Sequence, residues 1–114
     1  MKSTLILAGL ILFVLTLAAA DLSGTWSASV TLDAGSGTAT FVLKQAGDKL
    51  SGTYTGALGE AQVSGTVNGA SVEWSFESGD AGKCTYTGKL EGGKISGTVV
   101  YGQLGKGTFT AEKK

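Results

Sequence analysis

Between residues 22 and 109 the chain repeats one five-residue phrase: an apolar residue, Ser or Thr, Gly, usually Thr, then an apolar or aromatic residue. It reads Leu22-Ser-Gly-Thr-Trp26, Leu50-Ser-Gly-Thr-Tyr54, Val63-Ser-Gly-Thr-Val67, Tyr86-Thr-Gly-Lys-Leu90 and Ile95-Ser-Gly-Thr-Val99, with a degenerate Lys106-Gly-Thr-Phe109 near the end. Each copy has period two. Aromatic and β-branched residues on one parity, with Ser and Thr on the other, are the pattern of half-buried antiparallel strands.

Turn residues divide the chain after residue 20 into eight strand-sized pieces, about 24–32, 38–45, 49–56, 60–67, 71–77, 83–90, 94–101 and 106–112. Asn68-Gly69 is the strongest hairpin signal, since both residues tolerate positive φ. Gly47-Asp48, Gly59-Glu60 and Gly92-Gly93 are weaker versions, and Asp33 to Gly37, Ser78 to Gly82 and Gly102 to Gly105 read as longer Gly-rich loops. Eight short strands joined in sequence predict an all-β, eight-stranded antiparallel up-and-down meander. Closing it into a barrel removes the exposed edges that an open sheet or a self-assembling cross-β array would leave for aggregation.

Residues 1–20 read as a secretory signal peptide, with Lys2 as the positive start, an apolar run from Leu5 to Leu17, and Ala18-Ala19-Ala20 as the small-residue cleavage site. The apolar run is shorter than the ~20 residues of a spanning helix, so the expectation is cleavage between Ala20 and Asp21 and a secreted or periplasmic domain covering 21–114. Loss of Lys2 leaves eight Lys against nine acidic residues. A near-neutral chain without a basic stripe does not suit nucleic acid or a charged membrane surface. Cys84 is the single cysteine, so the domain has no internal disulfide. The chain contains no His, Arg or Pro, which removes the usual general base, the bidentate anion clamp and the commonest metal ligand. No cofactor and no metal are called for.

By parity one face collects Trp26, Ala28, Val30, Leu32, Phe41, Leu43, Leu50, Tyr54, Val63, Val67, Val72, Trp74, Phe76, Tyr86, Leu90, Ile95, Val99, Tyr101 and Phe109. A one-residue register slip would turn all of them outward, so this face specifies the inside. Gly52, Gly65, Gly88, Gly97 and Gly107 fall on the same parity. Inward glycines either let strands coil tightly at barrel corners or leave space for a guest.

Gly24-Thr25-Trp26 resembles the G-x-W opening of the calycin barrels, the lipocalins and avidins. Leu50-Ser-Gly-Thr-Tyr54, Val72-Glu-Trp74, Tyr86-Thr-Gly-Lys-Leu90 and Gly107-Thr-Phe-Thr110 resemble, in order, further strands of streptavidin-like sequences. The resemblance implies an avidin-type or lipocalin-type barrel with Tyr54, Trp74 and Tyr86 on the lining where that family encloses biotin, and Val99 where a Trp would reach a neighbouring subunit. The polar half of the biotin site is missing. Ala28, Gly56, Cys84 and Gly107 stand at the positions of its Asn, Ser, Thr and Asp, and a site stripped of such partners rejects the ligand they serve. The chain also resembles small exported bacterial β-domains with a G-T-W opening.

Two functions fit these features. The first is a non-catalytic barrel binding a small, neutral, apolar molecule, with Tyr54, Trp74, Tyr86 and Val99 as candidate lining and Trp26 as a structural residue closing one end. The second is a structural or protein-interaction module with a filled core. Catalysis has weak support: Glu73, Glu77 and Asp80 cluster, but Glu73 and Glu77 share the outward parity, and no nucleophile stands beside a base. Cys84, on the inward parity, suits a small buried hydrophobe.

Overall fold

The computed structural model describes residues 21–79 and 81–114; the segment expected to be a signal peptide lies outside the described residues, as does Asp80. Eight strands follow one another: β1 Gly24–Leu32, β2 Gly35–Ala46, β3 Lys49–Gly56, β4 Gly59–Asn68, β5 Ser71–Ser78, β6 Gly82–Glu91, β7 Lys94–Tyr101 and β8 Lys106–Lys113. Each pairs antiparallel with the next, and β8 returns to β1 to close the barrel. Among the described residues no helix is long and apolar enough to cross a membrane.

The register places like parity against like. Trp26 lies opposite Phe41, Phe41 opposite Tyr54, Trp74 opposite Tyr86, and Tyr86 opposite Val99. The inward set is buried apart from Leu32 and Leu90, which sit half-covered at opposite ends, and Leu22, Ala39, Ala81, Cys84 and Ala111 join it. No Ser, Thr, Asn, Gln or charged side chain is buried among the described residues. The inside of the barrel is thus lined by apolar and aromatic side chains.

The repeat glycines prove to be places where strands touch. A Cβ on Gly52, Gly65, Gly97 or Gly107 would fall inside the contact distance of a neighbouring carbonyl oxygen, that of Val42, Glu73, Thr87 or Thr31 respectively. Only glycine allows so close an approach; Trp74 and Phe109 stand opposite Gly65 and Gly97 on the paired strands, and the tip of the Phe109 ring lies against Gly88. The missing side chains therefore tighten the wall and leave no room for a guest.

Three connections differ from the sequence expectation. Asp33 and Ala34 make a two-residue turn, with Gly35 and Gly37 already in β2. The β4–β5 turn is Gly69-Ala70, Gly69 taking φ 64° at its first position. The β3–β4 turn is Ala57-Leu58, with Gly59 opening β4. In each case the ladder extends as far as side-chain alternation allows, and that decides the turn over the local glycine signal.

Candidate functional site

The two ends of the barrel are built differently. At the end holding the start of β1, Leu22 folds inward and its carbonyl accepts the indole N–H of Trp26 at 2.9 Å. Gln45 latches the segment: its Oε1 accepts Leu22 N–H at 2.8 Å, its own N–H donates to Ser23 Oγ at 3.0 Å, and its Nε2 donates to Gly47 O. Lys113 Nζ lies 5.7 Å from the Trp26 ring centroid. Trp26 and Leu22 are both buried, so this end is sealed.

The middle is an aromatic stack. Phe41 contacts Tyr54, Trp74 and Tyr86 at 5.6, 5.2 and 4.9 Å between centroids. Trp74 stacks on Tyr86 at 5.4 Å and Tyr54 on Phe76 at 4.1 Å, each pair within 12° of parallel. Where the biotin-type Asn would stand, Ala28 lies between Ala39 and Ala111 on the neighbouring strands. The Tyr54 ring end occupies the space beside Gly56 that a side chain there would take. The Trp74 indole N–H is the one buried side-chain polar atom without a hydrogen-bond partner among the described residues. An orphan of this kind costs about 1–3 kcal/mol.

The opposite end is open. A hollow of about 260 Å³ sits between the Asp33-Ala34 turn, the Ala57-Leu58 turn and the short 3-10 turn Gly102–Leu104. Val30, Leu32, Ala34, Ala57, Leu58 and Leu104 give it apolar walls, and Tyr54 and Tyr101 line it together with Ser36 and Thr38. No charged side chain lines it. The Tyr54 hydroxyl accepts the Leu58 N–H at 3.3 Å, and the Tyr101 hydroxyl is hydrogen-bonded to that of Tyr86. Burial raises both phenols: Tyr86 far above its ordinary value, and Tyr101 to about 12. Burial, then the nearby Glu77 charge, pushes the Cys84 thiol up to about 11. These groups are neutral at physiological pH.

The structure therefore brings Tyr54, Trp74, Tyr86 and Val99 into one core, but only Tyr54 lines the mouth hollow. Trp74 and Tyr86 are stacked deeper, where neighbouring rings fill the space, and Trp74 also backs a groove on the outer wall over Gly65. Sequence reasoning missed Leu58 and Leu104, whose signal was an apolar residue inside a glycine-flanked turn. Glu73 and Glu77 are exposed, with Glu77 opposite Lys83 across the β5–β6 ladder. No group of three or more His, Cys, Asp and Glu able to hold a metal ion occurs among the described residues.

The eight-stranded antiparallel barrel resembles in fold that of an avidin-type protein. The solved complex of bradavidin2 with biotin superposes with a TM-score of 0.59 at 11% identity, over 81% of this chain and 97% of that one. At that identity the likeness is one of fold. No protein-family model matches the sequence, and no curated protein matches it.

Proposed function

We propose that this is an exported, non-catalytic barrel that binds a small neutral apolar molecule at its open mouth. The observation that carries the reading is the asymmetry of the ends: one is sealed by Trp26, Leu22 and Gln45, the other is an uncharged hollow with leucine walls. At about 260 Å³ the hollow lies just below the ~300–1,000 Å³ of drug-sized sites, so it suits a fragment-sized guest. Apolar area supplies the affinity, which should be micromolar or weaker. Biotin should bind poorly, because the interior has no buried polar side chain beyond its phenols, thiol and indole.

Uptake of the neutral dye N-phenyl-1-naphthylamine by the purified protein, with displacement by small ketones or alcohols, is the direct test. Absence of dye uptake would favour the alternative of a structural module, for which the stacked aromatic core is the supporting observation. Nanomolar biotin binding in calorimetry would refute the apolar reading.

A further inference from the structure

The barrel wall has one incomplete seam. The β4–β5 ladder runs from Asn68 opposite Ser71 to Ser64 opposite Ser75 and stops there. The neighbouring β3–β4 and β5–β6 ladders continue to the open end, to Gly56 opposite Gly59 and Ser78 opposite Gly82. A cleft of about 450 Å³ occupies the gap, bordered by Ala61, Gln62, Glu77 and Lys83. Phe76, the first residue of β5 beyond the last rung, lines that cleft from within while only 3% exposed. Its ring stacks on Tyr54 at 4.1 Å and meets Tyr101 edge-on at 6.1 Å, and those two residues line the mouth hollow. One side chain thus stands between the two hollows.

We propose that Phe76 is a plug that sets the length of guest the barrel admits. The inference rests on the mouth-binding reading above. A guest that fills the mouth is stopped by the Tyr54–Phe76 stack. Moving that ring toward the seam requires side-chain rotation alone, because no strand pairing closes the wall there. A smaller residue at position 76 joins the mouth to the seam and lets a longer alkyl chain pass.

The test is calorimetry with straight-chain 1-alkanols from hexanol to tetradecanol on the wild type, Phe76→Ala, the milder Phe76→Leu, and Val67→Ala as a cavity-forming control on another strand. Each buried methylene is worth about a fourfold gain in affinity. In the wild type the gain should stop once the mouth is filled. In Phe76→Ala it should continue for several more carbons, and in Phe76→Leu for one or two, whereas Val67→Ala should level off with the wild type. Levelling at one common length in all four proteins, or an equal extension in Val67→Ala, overturns the plug and leaves mouth binding intact. Uptake by Phe76→Ala with none by the wild type upholds the plug and ends the mouth reading, and uptake by neither ends both.

Discussion

The sealed and open ends of this barrel are made from the same alternating strands, yet one holds a latch and the other a hollow. The difference lies in what crosses each end. At the sealed end the chain before β1 enters the core with Leu22 and hydrogen-bonds both Trp26 and Gln45, and the strands are joined by the two-residue turns Gly47-Asp48, Gly69-Ala70 and Gly92-Gly93. At the open end Ala81 of the β5–β6 connection tucks into the core beside the 3-10 turn, and Leu58 and Leu104 in the connections stand around the gap. A small barrel can thus close one end with side chains and hydrogen bonds while leaving an apolar hollow at the other.

The comparison breaks most readily at Trp26. Trp26→Ala removes a buried aromatic and the indole bond to Leu22, a loss of about 3–5 kcal/mol, which in a domain of this size lowers the thermal midpoint by more than ~10 °C. An unchanged midpoint in calorimetry would mean that the latch does not hold this end.

A second contrast sets wall against rim. Gly97→Ala would drive a methyl into the Thr87 carbonyl and cost about 1–3 kcal/mol. Gly37→Ala, at the rim with open space and no positive φ, should stay within about 0.5 kcal/mol. Equal effects in denaturant titrations would show that the repeat glycines do not mark close strand contacts.

Alkaline pH should loosen the open half first. Cys84, Tyr101 and Tyr86 are harder to ionise folded than unfolded, so the unfolded chain gives up its protons first as pH rises. Their contribution is complete below the ordinary values of 9.0 for the thiol and 10.0 for the phenols, and it drains as pH climbs toward about 11 for Cys84 and about 12 for Tyr101. The thermal midpoint should therefore hold level up to about pH 9 and fall beyond it. Tyr101→Phe should flatten part of that decline.

The smallest effect on stability belongs to Leu104→Glu. Leu104 is 42% exposed, so the change should shift stability by no more than about 0.5 kcal/mol. A charge in the apolar wall should nevertheless abolish dye uptake. Retained uptake in a fluorescence titration would move the guest away from the mouth.

Much of this fold was legible in the sequence because alternation is local. Period-two parity places Phe41, Tyr54, Trp74, Tyr86 and Phe109 inside without reference to any other strand, and the structure buries all five. The candidate site was less legible. Tyr54, Trp74 and Tyr86 share a parity, but parity does not say how far along the barrel axis each ring lies or whether another ring covers it. Leu58 and Leu104 sit in turns, outside any periodic pattern.

The amino-acid sequence by itself determined eight strands, their inward face and an apolar, uncharged interior, since each follows from side-chain alternation and from residue types that resist or favour burial. The tertiary structure alone decided which end is sealed, that stacked rings fill the middle, and that the β4–β5 seam stays open beside Phe76. Those features arise where residues distant in the chain meet, and their relative height is set by the barrel's coiling, which no single strand encodes.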